Sequence, residues 1–292
     1  MKKKLTGSSL LEYLVCFGPS MLLYTTFFML PMLLGIFYSL TNWDGMGNYS
    51  IVGASNYTKL LLNDPVFVQS MLRTFWFAIT SVLFTTIFSM LCALALTSKF
   101  KANNLFRTII FLPNLISMVI TGFIWNFLFT KVFSSIYTST GLEFFNISWI
   151  GDAKFVMWAV VIVSVWQGMG YYMTIYIAGI LGIDQSYIEA AVIDGATDRQ
   201  VFWKIKLPLM LPLVSIGAFL NLAFCMKTFD VVFSLSKGGP GNGSEVAMLN
   251  IYREAFVYNN FGYGSAKAIF FAGIIIIFSL IQQRITSRTE VE

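Results

Sequence analysis

The chain has 292 residues, 57% hydrophobic and 11% charged, with 29 Phe, 7 Trp, 13 Tyr and a mean hydropathy of +0.73. Soluble domains carry about 25% charged residues, so this composition excludes a soluble enzyme and points to a polytopic membrane protein. The absence of His removes imidazole proton relays, His-ligated metals and Ser-His-Asp chemistry, and Cys16, Cys92 and Cys225 sit in apolar stretches, where a thiol acts as a small hydrophobe.

Met1-Lys2-Lys3-Lys4 resembles the basic start of a signal peptide. The apolar run from Leu14 to Leu40 is longer than the roughly 7–15 residues of a cleavable core, and no A-x-A-like site follows, so the sequence predicts a retained first span. Six stretches reach, or nearly reach, the roughly 20 apolar residues that cross a bilayer: 14–40, 70–97, 106–130, 154–182, 208–235 and 265–284. The expected fold is an all-α membrane protein, with 1–292 a single transmembrane domain and 183–207 a cytoplasmic loop. Turn formers such as Trp43-Asp44-Gly45 and Gly238-Gly239-Pro240-Gly241-Asn242-Gly243 fall in the loops 41–69, 131–153 and 236–264.

Six spans put both termini on one side. Lys2, Lys3, Lys4, Lys99, Lys101, Arg107, Arg199, Lys204, Lys206, Arg284 and Arg288 all fall on that side, 11 of the 19 basic residues. By the positive-inside rule both termini are cytoplasmic, and the net charge of +5 is a topological bias with no nucleic-acid partner behind it.

The segment between the fourth and fifth spans is more than a connector. Ser186 and Glu189 have capping-box spacing, predicting a short helix from about Tyr187 to Asp194 that stops at Gly195. Thr197 and Gln200 repeat the spacing, predicting a second helix to about Lys206, with Pro208 in the first turn of the next span. Tyr187, Ile188, Ala191 and Val192 share one side of the first helix. Such a face suits either a groove on a partner protein or the lipid surface.

Polar residues inside spans mark candidate solute contacts, because charge in hydrocarbon is costly. Lys227 and Asp230 stand three apart in the predicted fifth span, as a polar wall of a pathway or a buried structural pair. In the fourth span, Trp166-Gln167-Gly168-Met169-Gly170-Tyr171-Tyr172 combines an amide, aromatic rings and small residues, a set that binds sugars or simply packs helices. No Walker A sequence occurs, so no phosphate cradle is supplied by this chain.

Glu189-Ala190-Ala191, Gly195, Ile205 and Leu207-Pro208, at these spacings, resemble the EAA loop of bacterial ABC-importer permeases. Asn221-Leu222-Ala223-Phe224, Phe229-Asp230-Val231-Val232, Lys237-Gly238-Gly239-Pro240-Gly241 and Arg107-Thr108-Ile109 with Leu112-Pro113 extend the resemblance to the carbohydrate-uptake branch, of the maltose-like oligosaccharide or glycerol phosphate type. The family's proline before the Glu-Ala-Ala triplet is replaced by Asp184, which can cap the helix by accepting amide hydrogen bonds.

The resemblance implies the type I importer arrangement of six helices and a non-catalytic subunit, half of a sugar pathway. It implies coupling to an ATPase through Glu189, Ala190, Ala191, Asp194 and Gly195. It also implies a substrate pathway at Gly168, Tyr171, Met226 and Lys227, to which the polar residues Gln167 and Asp230 inside the spans are added. The implied partners are a second related permease, two ATP-binding cassette subunits that hold ATP and Mg, an extracytoplasmic solute-binding protein, the sugar and membrane lipid. No cofactor or metal is expected on the chain itself. A self-contained secondary transporter is the main rival, but it needs coupling-ion or proton sites, and Asp230 is the one clear acid in a predicted span, with no His beside it; an intramembrane enzyme is the second. Neither accounts for the Glu-Ala-Ala loop.

Overall fold

The computed structural model describes residues 7–97 and 103–289, so Lys2, Lys3, Lys4, Lys99 and Lys101 lie outside the described residues. Among the described residues the elements are helical, and six helices are long and apolar enough to cross a membrane: Val15–Tyr38, Pro65–Thr97, Met118–Thr140, Val156–Leu181, Asp198–Met226 and Phe261–Gln282.

In chain order, α1 (Gly7–Tyr24) passes through a π turn into α2 (Leu30–Tyr38), and α3 (Ser55–Asn63) precedes the long α4 (Pro65–Thr97). Then come α5 (Asn103–Phe111), a 3-10 turn over Leu112–Leu115, α6 (Met118–Phe127) and, after a π turn, α7 (Phe133–Thr140). The fourth span is α8 (Val156–Leu181), followed by α9 (Gln185–Ile193) and α10 (Asp198–Val201), which continues through a π turn into α11 (Leu207–Met226). The short α12 (Asp230–Leu235) and α13 (Ala247–Tyr252) lead to α14 (Phe261–Thr289).

Three boundaries differ from the sequence expectation. The third span lies at 118–140 where 106–130 was expected. Pro113 opens a 3-10 turn and Ile116 and Ser117 are extended (ψ 138° at each), so the helix breaks and α5 becomes a separate segment. The predicted fifth span, 208–235, ends at Met226, because the chain leaves helical geometry at Lys227 and restarts at Asp230. The second short helix of the 183–207 segment is the beginning of the fifth span, with no break before Leu207.

The chain divides into two compact units. One holds residues 1–65 and 251–272; the other holds 66–250 and 273–292. In the larger unit α8 is buried around most of its circumference, as expected for a helix apolar on every side. Its neighbour α4 buries Phe67, Ser70, Thr74, Phe77, Ser81, Thr85 and Ser89, a stripe at helical spacing rich in small polar residues. Small side chains let backbones approach, which drives helix association where lipid removes the hydrophobic advantage. Gly170 shows the limit: a Cβ there would collide with the carbonyl of Ile110 and with Phe111, so only Gly allows α5 to cross α8. On the far side Asn126 Nδ2 donates to Leu235 O at 2.6 Å, tying α6 to α12.

The smaller unit contains a buried charge cluster. Lys267, 1% exposed, places Nζ 2.8 Å from Asp64 Oδ2 and 2.7 Å from Glu254 Oε2. Tyr263 O–H donates to Asp64 Oδ2, Asn260 Nδ2 donates to Glu254 Oε1, and Lys59 lies 4.2 Å from the centre of the Tyr263 ring.

Candidate functional site

Between α4, the broken third span, α8 and α11, the larger unit encloses a cavity of about 420 Å³. The break at Ile116 helps to make it. A carbonyl outside the helical ladder needs a partner, and Gln167 Nε2 donates to Ile116 O at 2.6 Å. That fixes the Gln167 side chain from α8 and leaves its Oε1 buried with no hydrogen-bond partner. Ser81 Oγ, Ser164 Oγ and Asn221 Nδ2 are likewise buried and unpartnered, and all three residues line the same cavity. Buried polar atoms in native proteins nearly always find partners, so four orphans around one cavity mark a place built for polar contents. Gly168, Tyr171, Asn114 and Thr228 add to the lining, and Phe77 and Phe224 give it apolar walls. The mixture suits a molecule with hydroxyl groups and apolar faces.

Of the residues predicted for a pathway, Gln167, Gly168 and Tyr171 meet at this cavity. Met226 is buried and outside the lining, and Lys227 and Asp230 are exposed. The expected helical pairing of Lys227 with Asp230 does not form, since the break between α11 and α12 removes the shared face. Asn221, Ser81 and Ser164 were not predicted; for Ser81 the signal was present in the spacing of Ser70, Thr74, Ser81, Thr85 and Ser89 along α4.

The 183–207 segment forms a second candidate site. The expected Ser186–Glu189 capping box is absent: α9 starts two residues earlier, at Gln185, with Asp184 Oδ1 accepting the Ser186 N–H at 2.9 Å. Asp184 outcompetes Ser186 because a carboxylate accepts amide protons more strongly than a hydroxyl. The same Ser186 bonds hold the Asp184 carboxyl below its ordinary value. Glu189 is exposed, free of capping duty.

The helix ends as expected. Gly195 takes φ +81°, Ala196 N–H donates to Ala191 O at 2.9 Å, and Gly195 N–H donates to Val192 O at 3.0 Å. That is a Schellman closure, which requires the left-handed residue that Gly supplies. Asp194 is the C-cap, its N–H bonded to Ala190 O. Thr197 and Gln200 form the full capping box at the start of α10. Ile188 and Ala191 are half-buried, while Tyr187, Val192 and Ile193 project from the chain, Ile193 at 85% exposure. Within this chain, therefore, the apolar face of α9 is only partly covered.

Residues 85–291, well over half of the chain, match the family described as "Binding-protein-dependent transport system inner membrane component". The chain belongs to that family. With six apolar helices, this permease is a multi-pass membrane protein. It is 36% identical over 280 residues to the probable starch degradation products transport system permease protein AmyD of Thermoanaerobacterium thermosulfurigenes, covering 96% of this chain and 95% of AmyD. It is 32% identical to the multiple sugar-binding transport system permease protein MsmF of Streptococcus mutans, covering 93% of each chain. A chain of the bacterial alginate ABC transporter, crystallised in complex with alginate pentasaccharide-bound periplasmic protein, superposes with a TM-score of 0.83 at 20% identity, covering 96% of the permease and 95% of that chain. That likeness shows a shared fold, the type I importer permease arrangement.

Proposed function

We propose that this permease forms half of the translocation pathway of an ATP-driven, binding-protein-dependent sugar importer whose solute is an oligosaccharide. The observation that carries the solute path is the cavity bounded by Gln167, Asn221, Ser81 and Ser164, with four unpartnered polar atoms and the Tyr171 ring. Hydroxyl groups would satisfy those atoms, and a sugar's apolar face would lie on the aromatic walls. The relatives that transport starch products and multiple sugars support the same class.

In this reading a second, related permease completes the pathway, covering the exposed Lys227 and Asp230. Two ATP-binding cassette subunits hold ATP and Mg²⁺, so hydrolysis takes place outside this chain, which is non-catalytic. Glu189, Ala190, Ala191, Asp194 and Gly195 are the coupling elements. Tyr187, Val192 and Ile193 give α9 an apolar knob, the unpaired Glu189 is available to a basic residue of the ATPase, and the Schellman closure fixes the angle at which the helix is held. Placing this segment and both termini in the bacterial cytoplasm follows from the clustering of Lys and Arg. The opposite loops meet an extracytoplasmic solute-binding protein, a role supported by the periplasmic protein in complex with the alginate transporter.

Co-purification tests this. Solubilised from native membranes in mild detergent, the permease should carry an ATPase and a second six-span permease with it. Recovery of the permease alone, or only with copies of itself, would overturn the assignment.

A further inference from the structure

We infer that Arg73, Lys154 and the aromatic groove beside them form a binding site for one anionic phospholipid, with its phosphate between the two cations and an acyl chain along the groove.

Arg73 lies near the start of α4 and Lys154 just before α8, and both line one recess of about 170 Å³ with Trp76 and Trp158. Arg73 Nη2 donates to Gln69 Oε1 at 3.2 Å, whereas its Nη1 is shielded from solvent and has no partner. A guanidinium nitrogen buried without an acceptor, on a residue that lines a recess, is costly unless something anionic pairs with it. Lys154 is exposed, lines the recess and makes no ion pair among the described residues; the nearby Asp152 carboxylate accepts its backbone N–H at 2.8 Å.

Trp158 also walls a second recess of about 470 Å³, lined by Phe84, Phe88, Val165, Trp166 and Met169 and almost wholly apolar. Trp76 and Trp158 meet edge to face, with ring centres 4.9 Å apart. Paired Trp rings at this level match the aromatic belt at a membrane interface. From Arg73 to Phe88 the helix rises about 22 Å, enough to carry a groove through one leaflet of about 15 Å. Positive charge at the interface, Trp at the boundary and an apolar groove below reproduce the chemistry of a single acidic lipid. The inference depends on the membrane placement and is independent of the solute.

The intact complex reconstituted into nanodiscs gives the test. Acyl-chain-brominated phosphatidylglycerol and phosphatidylcholine are compared as quenchers of tryptophan emission. Phosphatidylglycerol should quench with an apparent preference of roughly thirty-fold, as two basic side chains near a surface provide. That preference should vanish in the Arg73→Gln/Lys154→Gln double variant, and Trp158→Phe should remove much of the quenched signal. Millimolar inorganic phosphate should not displace the lipid. Equal quenching by both lipids in the wild-type complex, which needs no variant to fold, would overturn the proposal, as would a preference that survives in the double variant. Absence of quenching by either lipid would also overturn it and assign the face to a partner subunit; displacement by inorganic phosphate would assign the recess to a free anion.

Discussion

The side-chain amide of Gln167 donates to the main-chain carbonyl of Ile116 at 2.6 Å, joining the fourth span to the one place where the third span is unwound. This bond explains how a glutamine is kept deep in an apolar helix, and why its Oε1 is left without a protein partner in a cavity lining. Two properties are thereby coupled: the break in the third span is stabilised, and an acceptor is fixed in the path proposed for the solute.

Substitution at the cavity should separate function from stability. Gln167→Leu frees the Ile116 carbonyl and should cost about 1–3 kcal/mol of stability as well as most of the uptake. Asn221→Leu removes an Nδ2 that has no partner in the protein and an Oδ1 that accepts only a weak thiol hydrogen bond from Cys225 at 3.4 Å, so the complex should be about as stable as before. Uptake should nevertheless fall at least several-fold. Thermal melts and initial uptake rates of the assembled complex check both; unchanged uptake in Asn221→Leu would remove that residue from the path.

Gly195 tests the closure of α9. Its φ of +81° is poorly tolerated by a β-branched residue, although a Cβ there would meet nothing in this chain. Gly195→Val should therefore strain the turn by about 1–3 kcal/mol and uncouple ATP hydrolysis from uptake while leaving membrane insertion intact. Gly195→Asn, which tolerates the left-handed region, should restore much of the coupling. Equal loss in both variants would mean that Gly195 matters through direct contact with the ATPase.

Asp184 predicts a pH dependence. Its carboxyl titrates below its ordinary range because it accepts the Ser186 N–H. A depressed value means that the cap's contribution is present above the ordinary carboxylate range and lost as pH falls through the lowered value. Amide exchange over residues 185–189, corrected for intrinsic rates, should speed up on acidification in the wild type. It should stay flat in Asp184→Asn, which caps without titrating. Parallel profiles in the two proteins would contradict the assignment.

Lys267 is the charge whose loss should be felt most. Lys267→Met leaves Asp64 and Glu254 facing each other with no cation between them, and removal of one member of a buried pair costs about 3–5 kcal/mol. A clear fall in the melting temperature of the solubilised complex is expected, with a smaller fall for Glu254→Gln, which leaves Asp64 in place.

Much of this was legible in the residues. Six apolar runs, the Thr197–Gln200 capping box and the Gly195 stop were all readable because each rests on local chemistry that tertiary contacts did not override. The misreadings have physical causes. Hydropathy alone cannot see that Pro113 and the extended Ile116 and Ser117 break an apolar run, so the apolar run at 106–130 begins about ten residues before the span itself, Met118–Thr140. Ser186 and Asp184 are both competent caps, and spacing does not rank them; charge does. Lys227 and Asp230 share a face only on an unbroken helix, and the break at Lys227 has no Pro or Gly to announce it. Lys267 stood inside an apolar run, but its partners Asp64 and Glu254 lie far away in sequence and become visible only in the fold.

The most direct test of the central claim is solute uptake by proteoliposomes containing the purified complex, supplied with its binding protein and radiolabelled maltooligosaccharides, with and without ATP on the face that carries residues 183–207. Accumulation that requires ATP on that face, and that Gly195→Val abolishes while the complex stays assembled, is the predicted result. Uptake that proceeds without ATP from a preparation containing this chain alone would contradict it and make the protein a self-contained transporter.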